Sequence, residues 1–186
     1  MLTLKKHIQN LKVNGITYLP KEYSSKKITF YKNKFENIVK DFKRKKIPLN
    51  PECQMIRNPY RHDIELSNLI YNQKVDQILK NLIGEDHILV NSTIINRRLS
   101  KDVTKHGTNM GDKWHTDSHY LNGKRMEKGV TYVVITLFDD FTKENGGTMY
   151  VPKSHNKRSI PNKKGNYDKK SKYIIAKAGT IVIIDG

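Results

Sequence analysis

Trp114-His115-Thr116-Asp117-Ser118-His119-Tyr120 is the stretch whose residue types and spacing could do chemistry. In an extended strand, side chains alternate faces, so His115, Asp117 and His119 point one way while Trp114, Thr116 and Ser118 point the other. Same-face neighbours lie about 6.6 Å apart along the backbone, near enough for His115 and Asp117 to grip one ion. His119, about 13 Å from His115, is too far to share that ion unless the strand bends. The expected unit is a two-ligand clip of one imidazole nitrogen and one carboxylate oxygen. Such a clip supplies two arms of the 2-His-1-carboxylate arrangement that holds non-haem Fe(II) with positions left open. Taken alone, His-x-Asp is a weak signal.

The chain of 186 residues is long enough for one domain with a sizeable core. Its formal net charge of +17 invites a polyanion partner, but Lys far outnumbers Arg and is spread over the whole chain. The scarcity of Arg and the lack of a basic helix with base-reading residues argue against sequence-specific readout, and nucleic acid is not the partner expected. A single cysteine, Cys53, rules out an internal disulfide and any multi-cysteine metal site. The N-terminus lacks the apolar run of a signal peptide, and no apolar stretch is long enough to cross a bilayer. The expected location is cytoplasmic; oligomeric state is left open.

Leu4, Ile8 and Leu11 have helical spacing over residues 4–11, and Ile16 to Leu19 reads as a brief strand after Asn14-Gly15. Phe35, Ile38, Val39 and Phe42 predict an amphipathic helix from Asn33 to Lys46. A third helix follows Asn72 as N-cap, buries Val75, Ile78, Leu79 and Leu82, and ends at Gly84. A turn or short helix is expected over Asp63 to Tyr71. After Gly84 the texture changes to short strands: His87 to Ile95, Lys113 to Tyr120, Val130 to Phe138, Thr148 to Val151, Tyr173 to Ala176 and Thr180 to Ile184. No convincing helix falls between them, so an antiparallel sandwich or barrel is favoured. The organisation expected is one unit, with a helical lead-in over 1–85 and strands over 86–186. The Lys-rich loop from Asn156 to Lys172 is long enough to be mobile or functional. Asn145-Gly146-Gly147 reads as a tight turn needing positive φ.

With the strands placed, the chain resembles the phytanoyl-CoA dioxygenase-like enzymes, Fe(II)- and 2-oxoglutarate-dependent oxygenases. The stretch Trp114 to Tyr120 looks like that family's iron-binding strand. Glu144-Asn145-Gly146-Gly147-Thr148-Met149-Tyr150-Val151-Pro152-Lys153-Ser154-His155 is similar to its loop and strand ending in Pro-Gly-Ser-His. Ala178-Gly179-Thr180-Ile181-Val182-Ile183-Ile184-Asp185 looks like its late Gly-Asp strand. Lys153 stands where the family usually has Gly, and Thr180 where Asp is common.

The resemblance implies a mainly β fold with N-terminal helices: a double-stranded β-helix (jelly roll, cupin-like), incomplete at the C-terminus. It implies His115 and Asp117 as metal ligands and catalytic residues, with Fe(II) and 2-oxoglutarate as cofactors, molecular oxygen as co-substrate and ascorbate as a candidate reductant. A small molecule would be hydroxylated; Asp117 fills the coordination position that a halide would need. In the family a distal His and a 2-oxoglutarate-binding Arg follow the late strand, and neither appears before Gly186. The expectation is therefore a truncated oxygenase with weak or no activity, whose strand Thr180 to Ile184 lacks a partner on one side. That edge would drive aggregation, pair with another chain, or be compensated by the N-terminal region.

By position, Thr136 and Arg97 are candidates for binding 2-oxoglutarate, while His106, Asp102 and the loop from Lys101 to Lys113 could border the pocket mouth. His119 is read as a residue behind the ligands or in the substrate pocket, and His155 as a structural loop residue. Two other readings stand beside this one: a catalytically inactive jelly-roll binding module, and a basic nucleic-acid-binding or -modifying protein.

Overall fold

A computed structural model describes residues 2–50, 53–97, 114–117, 120–121, 124–125, 131–145, 147–157 and 167–186. Three helices open the chain. Helix α1 (Leu4–Asn14) is capped by the Thr3 hydroxyl and closes at Gly15, whose φ of 77° lets its N–H reach the Leu11 carbonyl. Helix α2 (Ser25–Arg44) starts well before the expected Asn33. The Ser24 hydroxyl caps it, and Ile28 and Tyr31 continue the buried stripe of Phe35 and Ile38 back towards the N-terminus. In α3 (Gln73–Ile83), the Asn72 carboxamide oxygen accepts from Lys74 N at 3.0 Å and Val75 N at 3.1 Å. Pro59–Arg61 and Ile64–Leu69 form short 3-10 turns between the second and third helices.

The strands are β1 (Ile16–Leu19), β2 (Cys53–Arg57), β3 (Thr93–Arg97), β4 (Tyr120–Leu121), β5 (Lys124–Arg125), β6 (Tyr132–Thr136), β7 (Met149–Tyr150), β8 (Lys172–Tyr173) and β9 (Ile181–Asp185). Every pairing among them is antiparallel, in the order β1-β9-β6, with two-stranded pairs β2-β3, β4-β5 and β7-β8. Of the expected His87-to-Ile95 strand only Thr93 to Ile95 pair, as the start of β3; Ile88 and Val90 are 81% and 79% exposed. Strand β2 was not anticipated. Its Ile56 is buried and faces Ile94 in register, so the pairing organises a segment too short to announce itself.

The expectation for the last strand needs correction. Strand β9 lies at the centre of its sheet, with β6 on one side and β1 on the other. Ile16 pairs with Ile184 and Leu19 with Ile181, so the N-terminal region supplies the compensation. Burial follows from this: Ile181, Val182 and Ile183 are at most 1% exposed.

The two faces of this sheet bury different things. Leu19, Ile181 and Ile183 pack with Leu11 of α1, Tyr31 and Phe35 of α2, Ile78 of α3, and Ile56. On the other face, Ile16, Val182, Leu137 and Ile174 pack with Tyr18, Ile135, Tyr150 and Ile184. Helices therefore cover one side, and the β7-β8 layer approaches the other.

Candidate active site

Trp114 to Thr116 run outside any strand and the chain bends at Asp117; among the described residues of the expected strand, only Tyr120 pairs. The alternation of faces nevertheless holds: Trp114 and Thr116 are half-buried, while His115 and Asp117 are exposed. His115 Nε2 lies 4.0 Å from Asp117 Oδ1, with the two side chains 56% and 53% exposed. The other candidates of this region, His119, His106, Asp102 and the loop from Lys101 to Lys113, lie outside the described residues.

Strand β9 supports Asp117. Gly186 N donates to Thr131 O at 2.9 Å, continuing the ladder one step past Asp185. A β-carbon at Gly186 would lie 3.2 Å from Asp117 Cβ. Gly186 follows Val182 and Ile184 on the face turned away from the helices, so Asp117 sits at one end of the space between the layers. Behind the pair, the Trp114 ring meets Tyr167 at 6.0 Å between centroids, tilted by 48°. Tyr167 escaped the sequence reading. Its signal was available, since it is the only aromatic residue between Asn156 and Lys172.

A shared metal is a fair test of this geometry. Two donors each about 2.1 Å from one ion are at most about 4.2 Å apart, and about 3 Å apart in adjacent octahedral positions. The observed 4.0 Å is within the outer limit, and exposed side chains can close the remainder by rotamer change. His115 and Asp117 thus fit two positions of an iron site. Among the described residues, no group of three His, Cys, Asp or Glu side chains converges on one point.

Thr136 is not brought to this pair. It shares its strand face with Tyr132, which packs on the helical side, and it pairs with Ile181 rather than with the Gly186 end. From Ile181 to Gly186 is about 17 Å at ~3.4 Å per residue. Arg97 ends β3, exposed, opposite Cys53 in the β2-β3 pair. A cleft of about 550 Å³ lies between α2 and the turn after β6, lined by Ser25, Thr29, Lys32, Phe138, Asp139 and Asn145. It is at the opposite end of β6 from Thr131 and Asp117.

The motif residues between β6 and β8 have structural jobs. Asn145 Oδ1 accepts from Thr142 N at 2.9 Å, and its amide also donates to Asp140 O. Gly147 does not itself have positive φ; a β-carbon there would meet Thr142 O at 2.8 Å and Ile174 O at 3.0 Å, so close packing is what favours glycine at this position. Gly146 lies outside the described residues. Lys153, where the resembling family usually has Gly, holds φ 64°, the left-handed conformation that glycine adopts most easily. His155 is 8% exposed and sits over Gly15.

The fold is shared with solved non-haem iron enzymes. The carbocyclase SnoK from nogalamycin biosynthesis, described as non-haem and alpha-ketoglutarate-dependent, superposes with a TM-score of 0.67 at 16% identity. The match covers 99% of this chain and 74% of SnoK. HygX from Streptomyces hygroscopicus, solved with nickel and 2-oxoglutarate bound, gives a TM-score of 0.68 at 11% identity, covering 100% of this chain and 78% of HygX. The epimerase SnoN, in complex with Fe3+, alpha-ketoglutarate and nogalamycin RO, gives 0.68 at 11% identity, covering 97% and 73%. At such identities the likeness establishes the jelly-roll fold. No curated protein matches the chain in sequence.

The family model for phytanoyl-CoA dioxygenase matches residues 11–186, and the chain belongs to that family. Its class is therefore that of the Fe(II)- and 2-oxoglutarate-dependent oxygenases. Among the described residues, no helix is long and apolar enough to cross a membrane.

Proposed function

We propose that this chain is a dioxygenase that hydroxylates a small molecule, using Fe(II) and 2-oxoglutarate, with His115 and Asp117 as two iron ligands. The observation that carries the reading is the convergence of His115 Nε2 and Asp117 Oδ1 at 4.0 Å, at the end of the inter-layer space. Two of the structural neighbours are described as holding a metal together with 2-oxoglutarate, which supports the same cofactor pair here.

His115 and Asp117 would hold the iron, and with 2-oxoglutarate and oxygen it would supply oxidative chemistry at a substrate C–H bond. The chain's own contribution is to hold the donors. His115 presents an imidazole nitrogen and Asp117 a carboxylate oxygen, both accessible to an incoming ion. Trp114 and Tyr167 back the segment with apolar surface, and Gly186 leaves room for the Asp117 side chain. Thr136 and Arg97, the candidates by position for binding 2-oxoglutarate, are given no role in this reading.

The test is direct. The single tryptophan, Trp114, adjoins His115, so its fluorescence reports metal at the pair. Ni(II) should quench it saturably, and His115→Ala or Asp117→Ala should abolish the response. Succinate formation from 2-oxoglutarate with Fe(II) should fall in parallel. Quenching and turnover that both survive His115→Ala would overturn the assignment.

A further inference from the structure

The His155 ring is buried against a corner of the fold far from it in sequence. A β-carbon on Gly15 would fall 2.5 Å from His155 Nδ1 and 3.0 Å from Cγ, so the ring occupies the space any other residue there would need. His155 Nε2 lies 3.1 Å from Lys12 O and 3.2 Å from Asn156 Nδ2, which holds the ring against the end of α1. Lys153 N donates to Asn14 O at 3.2 Å in the same turn. Together these contacts pin the passage from α1 into β1.

The same glycine reaches the metal pair by a short route. Gly15 O accepts from Asp185 N at 2.9 Å, and the next residue, Gly186, donates to Thr131 O and stands beside Asp117. The His155 ring thus fixes the peptide that holds the end of β9, and the end of β9 sets the wall against Asp117.

We propose that His155 is a positioning residue for Asp117, acting through Gly15 and the Asp185-Gly186 end of the last strand. The proposal rests on the reading of Asp117 as an iron ligand. Without the ring, the Gly15 corner gains freedom, the last two residues of the sheet shift, and the His115–Asp117 spacing loosens. A site whose supporting contacts are lost binds metal more weakly even when its ligands are intact.

Isotope-labelled protein of the full chain allows a test that does not depend on metal. In His155→Ala, amide exchange at Asp185 and Gly186 should accelerate and the Asp117 carboxyl carbon resonance should move, while exchange at Ile78 in α3 stays as in the parent. Ni(II) affinity, read from Trp114 fluorescence, should fall by about tenfold. His155→Gln, which can donate to Lys12 O, should restore part of each effect. His155→Asn, too short to cover Gly15, is the second variant should the alanine protein not fold. Unchanged exchange at Asp185 and an unmoved Asp117 resonance would overturn the proposal, as would acceleration at Ile78 equal to that at Asp185. Failure of the parent protein to bind Ni(II) would instead sink the ligand assignment, leaving exchange and resonance to decide the role of His155.

Discussion

Ile16 stands directly opposite Ile184, so the first strand of the chain forms the outer edge of the sheet whose centre is the last. Removing residues 1–19 strips that cover and the buried Leu11, Ile16 and Leu19 side chains, each worth about 1.5–3 kcal/mol. The bared backbone of β9 then offers a pairing template to other copies. Size-exclusion chromatography should show self-association of the shortened protein; a monomer with an unchanged melting temperature would contradict the topology.

The proposed ligand pair should be separable from stability. His115 and Asp117 are exposed, so alanine at either position should change the unfolding free energy by no more than about 0.5 kcal/mol. Chemical denaturation alongside the Ni(II) titration would show this. Large destabilisation by His115→Ala would mark the histidine as structural.

His7 gives the fold a pH dependence. Its ring is buried with Nδ1 2.9 Å from the Thr17 hydroxyl, and burial holds its pKa below the ordinary value, with Glu22 pulling it up and Lys74 pushing it down. The unfolded chain therefore binds the proton more readily. This contribution is intact above the ordinary value of about 6.5 and is lost as pH falls below it. Urea midpoints should drop between about pH 7.5 and pH 5.5 in the parent and drop less in His7→Gln.

Two glycines with positive φ should respond differently to alanine. At Gly179, φ is 84° and a β-carbon would fall 2.2 Å from Tyr23 O, whereas at Gly84 nothing lies within 4 Å. Gly179→Ala combines backbone strain with a clash against main chain and should cost at least about 2 kcal/mol, a loss of roughly 4–8 °C in melting temperature. Gly84→Ala carries the strain alone and should cost less. Equal losses would mean the Tyr23 contact is not rigid.

Lys153 pays a conformational penalty that glycine would avoid. Lys153→Gly should stabilise the folded state by up to about 1 kcal/mol, the relief of left-handed strain being partly offset by a more flexible unfolded chain. Thermal denaturation would decide; destabilisation would show that the lysine side chain makes a contact that outweighs its backbone.

Legibility in the sequence tracked how local each determinant was. Helix α3 was readable from end to end because Asn72, the Val75-Ile78 stripe and Gly84 are all contiguous signals. The first turns of α2 were missed because Ser24-Ser25-Lys26-Lys27 reads as polar loop until Ile28 and Tyr31 are seen packed. That His115 and Asp117 share a side could be read from their two-residue spacing, but an inward facing could not, since both are exposed and the segment is not a regular strand. The neighbours of that clip could not be read. Gly186 and Thr131 meet Asp117 only through sheet register, and Tyr167 meets Trp114 across half a hundred residues. The forecast of an unpartnered Thr180-to-Ile184 edge failed for the same reason, since its partner is at the other end of the chain.

The β1-β9 ladder also sets a timetable for synthesis. At ~5–20 residues per second, the segment around Ile16 leaves the ribosome on the order of 10–30 s before Ile184 exists to receive it. During that interval Leu19 has nothing to lie against in the sheet, and the helices must form over an absent floor. A nascent chain of this topology gives a chaperone a long interval in which to bind, and the sheet joins the helices only when the five residues of β9 arrive.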